Sequence, residues 1–405
     1  MRAPIYLDHA ATTPVDPRVA AAMAPWLTEA FGNASSRNHA FGRRASEAVE
    51  RARVQVAALV RCDASEIVFT SGATESINLA LKGVAAFHRD RGRHLVTLAT
   101  EHRATLDALH ALAQNGFDVT RLPVEAGGLV DPQRFAASLR PQTVAASVMA
   151  VNNEIGVIQD IGALGAVCRA HGVVFHVDAA QATGKIAIDL ASLPVDLMSL
   201  SAHKTCGPQG IGALFVRRKP RVRIDAQMHG GGQERGLRAG TLATHQIVGM
   251  GEAFALAELG LDDENARVGA LRDRLWRELT AIGGVLRNGS IEHSVAQLLN
   301  VTFDGVSAEE LMAEIEGVAV STGSACGSGS TEPSHVLRSL GLPDELAHGA
   351  LRFSLGRTTT ADEIDRAAAR VKRAVARLRR PAGTGRPRRR GIGGGGTMDV
   401  RTQSD

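Results

Sequence analysis

Aromatic residues are scarce in this chain: 11 Phe, two Trp and a single Tyr among 405 residues. Stacking platforms for single-stranded nucleic acid are therefore few, and no direct nucleic-acid partner is expected. No apolar run approaches the roughly 20 residues that a membrane-spanning helix needs. The first residues lack the charged-then-apolar pattern of an export signal. No membrane partner and a cytoplasmic location are the expectations. The four cysteines stand at 62, 168, 206 and 326. None forms a Cys-x-x-Cys pair, and the histidines show no zinc spacing, which argues for a reducing compartment and against a structural metal. No segment repeats.

An isoelectric point near 9.1 suggests a polyanion partner, but the basic excess is confined to one end. Eleven Lys/Arg and no acids lie between Arg366 and Arg390, and the last fifteen residues add one net negative charge. With +4 in total, residues 1–365 are left at −6. The body is mildly acidic and the C-terminal end basic. From Pro381 onward the chain is rich in Gly, Arg and Pro, a composition that predicts disorder.

The length predicts two domains. Pro17 to Thr28 has helical spacing with Asp16 as N-cap, and a long amphipathic helix fits His39 to Leu59. Strand and helix patterns then alternate. Strands are predicted at 67–70, 94–99, 144–151, 173–177, 195–200 and 211–216. Helices are predicted at 73–87, after the strand 94–99 and through Ala113, at 161–170 and from Ala243 to about Ile282. Strands at 298–303 and 350–355, with helices at 308–316 and 361–378, make a smaller C-terminal unit. The alternation predicts an α/β fold with a mainly parallel sheet covered on both faces. In such sheets ligands sit beyond the carboxyl ends of the strands. Thr74, His102, Asn153, Asp178, Gln181 and Lys204 all follow a predicted strand, so their separation in sequence is no obstacle to convergence at one site.

Lys204 lies in Ser201-Ala202-His203-Lys204-Thr205-Cys206-Gly207-Pro208, between two buried strands. An amine held there suits a Schiff base with a carbonyl, and Ser201 and His203 can bind a phosphate beside it. Taken alone, the stretch is equally compatible with a surface loop carrying a chance lysine. Asp178 ends the strand Phe175-His176-Val177-Asp178 and suits a pyridinium nitrogen, although a strand-end Asp is also a common helix cap. The turn Ser71-Gly72-Ala73-Thr74 opens a helix after a strand, an anion site by its free amides and dipole. Capping alone explains many such turns. Cys326 lies in Ser321-Thr322-Gly323-Ser324-Ala325-Cys326-Gly327-Ser328-Gly329-Ser330, a tether of small residues unlike the apolar setting of a structural cysteine.

With Tyr6-Leu7-Asp8-His9-Ala10-Ala11-Thr12-Thr13, Val151-Asn152-Asn153-Glu154-Ile155-Gly156 and Met228-His229-Gly230-Gly231-Gly232-Gln233-Glu234-Arg235, these pieces give the chain a resemblance to a known family. From about Ile5 to Leu378 it resembles the cysteine desulfurases of the IscS/NifS type. These belong to the class-V aminotransferase group of fold-type-I pyridoxal-phosphate enzymes.

The resemblance implies a fold-type-I α/β enzyme. Its parts would be an N-terminal arm (1–15), a large domain (16–260) with a seven-stranded, mainly parallel sheet between helices, a small α+β domain (261–380) and a tail (381–405). It implies pyridoxal 5'-phosphate as cofactor, held by Ala73, Thr74, Ser201, Ala202, His203 and the covalent Lys204. Thr241 would reach the phosphate of the neighbouring subunit in a homodimer. His102 would stack on the ring and shuttle protons. Asn153 and Gln181 would bind the phenolic oxygen, and Asn153 and Arg352 the substrate. The implied reaction takes L-cysteine to L-alanine through an aldimine, with sulfur left on Cys326 as a persulfide. The sulfur would pass to an iron–sulfur cluster scaffold and other acceptors, tRNA-thiolation proteins among them. No resident metal is implied, only a passing contact of Cys326 with a nascent cluster on the scaffold. A selenocysteine lyase or another class-V aminotransferase is the alternative. The tail from Pro381 departs from the housekeeping members, whose final segment helps dock the scaffold.

Overall fold

The computed structural model describes residues 4–322 and 333–380. Cys326 and the Gly/Arg-rich tail lie outside the described residues.

Seven strands form one sheet, in the spatial order 67–70, 212–216, 197–201, 174–178, 143–149, 94–98, 118–122. Neighbours run parallel except Gly212–Val216, which is antiparallel to both Ile67–Thr70 and Leu197–Ser201. Two reversals cancel, so the other six strands share one direction and present their carboxyl ends on one edge. Period-two alternation sends successive side chains to opposite faces. Ile67, Phe69, Phe175, Val177, Ala213 and Phe215 pack into the core beneath the helices Ala40–Leu59 and Ile161–Ala170. Val68, Leu95, Ala145, Leu197 and Leu214 pack with the helices Ala73–Phe87 and Arg103–Gln114 on the other face. Each fully buried phenylalanine contributes roughly 1.5–3 kcal/mol.

A second core lies around the antiparallel strands Val285–Arg287, Leu298–Phe303 and Ala350–Ser354. The helix Ala361–Leu378 covers them with Ile364, Ala367, Ala368, Val371, Ala374 and Val375, a helical stripe. Its start is fixed by a capping box between Thr360 and Glu363. The N-terminal strand Ile5–Tyr6 pairs in parallel with Val318–Ala319 and adds Ile5 and Leu7 to this core. The helix Thr244–Thr280 joins the two units. Its Ile247, Met250, Phe254 and Ala257 belong to the first core, its Val268, Leu275 and Leu279 to the second.

The predicted helix over Pro17 to Thr28 is two helices, Pro17–Met23 and Pro25–Thr28, because Pro25 starts a new turn. Asp16 caps the first, as expected. The pattern reading overlooked the edge strand Asp118–Leu122 and the strand Val285–Arg287. Both are largely solvent-facing and carry no apolar run.

Candidate active site

The carboxyl edge of the sheet holds a cleft of about 610 Å³ lined by Ala73, Thr74, His102, Asn153, Asp178, Gln181, Ser201, His203 and Lys204, with Thr12 and Gln209 at its wall. Nine of the sequence-predicted residues are thus brought together, from five strand ends. Ala202 is buried behind the wall, its carbonyl accepting from the Thr205 and Gly207 amides. Thr241 is exposed and is not among the residues that line this cleft. Arg352 is buried behind Asn153, donating to the Asn153 carbonyl at 2.8 Å and to Asp8 Oδ1 at 2.8 Å, while its Nε has no partner.

The anion cradle follows from backbone geometry. Gly72 has φ 153°, which L side chains rarely adopt, and it precedes the 15-residue helix Ala73–Phe87. A Cβ on Gly212 of the neighbouring strand would stand 2.7 Å from the Gly72 Cα and 2.5 Å from the Leu200 oxygen. Glycine at 212 therefore lets the helix start press against the sheet. The Ser71 amide donates to Glu75, which Arg238 holds from outside. The first-turn amides of this helix are offered to an anion.

The Lys204 loop is pinned by the N-terminal arm. Thr13 donates from both its amide and its hydroxyl to the His203 oxygen, and the Cys206 amide donates to Thr13 Oγ1. His203 Nδ1 and Gln209 Nε2 both meet Thr12 Oγ1. Sequence reasoning gave Thr12 and Thr13 no role, although they stand in a quoted stretch, because nothing local ties them to a loop 190 residues on.

Burial shifts the ionisable groups around the cleft. Burial, helped by Lys204 and Lys185, holds the His203 imidazole down to about 4. His102 caps the helix Arg103–Gln114, its Nδ1 accepting from the Ala104 amide. Burial lowers its affinity for protons as well. Asp178 is buried, with Oδ1 accepting from the Ala180 amide. Beneath the floor lies Glu101, fully buried. Its Oε1 accepts from the Met149 amide and its Oε2 has no partner. Burial first, with the charge of Asp178 adding to it, raises its carboxyl well above the usual range.

This raised carboxyl makes a stability prediction. Between the unfolded and the folded titration points the folded chain binds the extra proton, so stability falls as pH rises through that window. Glu101→Gln removes the titration. Its melting temperature should exceed wild type by roughly 2 °C at pH 7.5 and meet wild type near pH 4, as followed by calorimetry. A variant less stable at both pH values would show Glu101 to be charged and needed.

The donor set fits a phosphorylated pyridine aldehyde: an amide cradle for the phosphate, a buried carboxylate for a ring nitrogen, and a lysine between them. Residues 5–367 match the family Aminotransferase class-V. The chain belongs to that family. It is 62% identical over 379 residues to the cysteine desulfurase IscS of Methylococcus capsulatus, covering 94% of each chain. It is 60% identical to that of Methylobacillus flagellatus, again over 94% of both. A solved NifS-like protein superposes with a TM-score of 0.86 at 35% identity, over 92% of this chain and 99% of the other. A structure described as SspA in complex with cysteine gives 0.78 at 37%, over 88% and 99%. The resemblance to desulfurases of the IscS/NifS type and the fold-type-I architecture are both borne out. Among the described residues no helix is long and apolar enough to cross a membrane.

Proposed function

We propose that this cleft binds pyridoxal 5'-phosphate and removes sulfur from L-cysteine, giving L-alanine. The observation that carries this reading is the meeting of Lys204, Asp178, His102 and the Ser71–Thr74 amide turn at one sheet edge. Ala73, Thr74, Ser201 and His203 hold the phosphate, with Thr241 of a second copy completing the set in a homodimer. The exposure of Thr241 supports that assignment. Asp178 keeps the ring nitrogen protonated, His102 covers the ring, and Asn153 and Gln181 bind the ring oxygen. Bound there, the cofactor acts as an electron sink for charge developing at the substrate Cα. Lys204 tethers it, then takes the Cα proton and returns one. Arg352 serves the substrate carboxylate; its unpartnered buried Nε supports that role.

Cys326 is the sulfur acceptor. Its thiolate would attack the substrate sulfur: an S–S bond forms as the C–S bond breaks, the persulfide keeps the substrate's S–H, and the C–S electron pair stays on the carbon, which takes up a proton to become the alanine methyl group. The three described cysteines are poor candidates. Burial raises all three thiols, Cys62 to about 12, and holds them protonated. The persulfide goes to an iron–sulfur cluster scaffold and to other acceptors, tRNA-thiolation proteins included, in the cytoplasm. We also propose the domain division at residues 15, 260 and 380, the second boundary falling within the helix Thr244–Thr280.

The test is an assay of purified enzyme with cysteine. Alanine should appear in a burst of about one per active site without reductant, as expected for a single persulfide acceptor. With reductant it should continue, with matching sulfide. Formation of a keto acid in place of alanine would overturn the reading.

A further inference from the structure

Gln181 lines the cleft beside Asp178, yet both ends of its amide are already engaged by groups outside that cleft. Nε2 donates to the Ala10 oxygen at 2.8 Å. Oε1 accepts from Lys185 Nζ at 2.7 Å. Lys185 does not line the cleft. It is buried, and the space beside it is a small cavity of about 30 Å³ whose wall includes His9, Lys204, Cys206, Glu264 and Arg357. Among the described residues no carboxylate stands within ion-pair distance of its amine. Burial, with the Lys204 charge adding to it, pushes the Lys185 amine down to about 7. In either protonation state it keeps N–H donors. A buried amine without a counter-ion costs stability, so packing does not account for it.

We propose that Lys185 is a positioning residue that acts through Gln181, holding the amide with its N–H end toward the cleft. The inference rests on the reading of Gln181 as a donor to the cofactor's ring oxygen. A primary amide is nearly symmetric in shape, and its partners decide which end is which. The Ala10 carbonyl only accepts. The Lys185 amine donates. One orientation satisfies both, and it leaves the second Nε2 hydrogen for the cleft. Without Lys185, Oε1 is left unpartnered in a buried pocket, which is costly. Turning the amide over sets Oε1 against the Ala10 carbonyl, so without Lys185 neither orientation is satisfied and the Nε2 hydrogen is no longer held toward the cleft.

The test is a double-mutant cycle. Lys185→Met, Gln181→Ala and the double variant are stripped of cofactor and titrated with pyridoxal phosphate. The visible absorption band of each loaded enzyme is recorded. Lys185→Ala replaces Lys185→Met if the latter shows no cooperative melting transition. Lys185→Met should bind the cofactor about tenfold more weakly and shift the band. In the Gln181→Ala background the same change should add less than about twofold. Lys185→Arg, which keeps a donor, should restore the wild-type band. Full loss on Lys185→Met in the Gln181→Ala background, or a wild-type band and affinity in Lys185→Met, overturns the role of Lys185 alone. Wild-type affinity in Gln181→Ala overturns the reading of Gln181, and this inference with it.

Discussion

Lys204→Ala is expected to lower alanine production by at least ~10³-fold, since it deletes both the tether of the cofactor and the group that moves the Cα proton. The fold should survive. Lys204 stands in a loop whose shape is set by Thr13, His203 and Cys206 through contacts that do not use its side chain. Its neighbour Lys185 is the rival amine. Lys185 is buried behind the wall and bonded to Gln181, whereas Lys204 lines the cleft itself. Borohydride reduction of the loaded wild-type enzyme should therefore place the pyridoxyl group on the peptide containing Lys204. The same treatment of Lys204→Ala should label no lysine. A pyridoxyl group found on Lys185 in the wild type would sink the assignment.

Cys326→Ser should bind the cofactor as wild type does and lose roughly 10³-fold in alanine release, about 4 kcal/mol of transition-state stabilisation. A hydroxyl is a far weaker nucleophile toward sulfur than a thiolate. Cys206 is the competing candidate because it is two residues from Lys204. Its position argues against it: its backbone is held at φ 57° with the amide bonded to Thr13 Oγ1, and burial keeps its thiol protonated. A thiol so held can neither meet the substrate nor carry sulfur outward. Cys206→Ser should retain most activity. Mass spectrometry after cysteine treatment should find the added sulfur on the Cys326 peptide, and finding it on Cys206 would show the nucleophile to be misassigned.

Local chemistry made much of this protein legible from its residues in order. Short apolar runs marked six of the seven strands of the large sheet. Asp178, Lys204 and the Gly72 turn stood out because each follows a buried strand, where backbone groups and charged ends are exposed to a ligand. The edge strand Asp118–Leu122 was not legible, since a strand with one neighbour and little burial needs no hydrophobic pattern.

Partnership across long separations belonged to the tertiary structure. That Gly212–Val216 runs against its neighbours, and so leaves six carboxyl ends on one edge, is a matter of sheet pairing. That Arg352 rests on Asp8 and Asn153, or that Gln181 is held between Ala10 and Lys185, depends on residues up to 344 positions apart. The pattern of a sequence reports whether a side chain is buried. It does not report what it is buried against, because that is decided by which elements pack together, and with it which polar atoms find partners and which remain for a ligand.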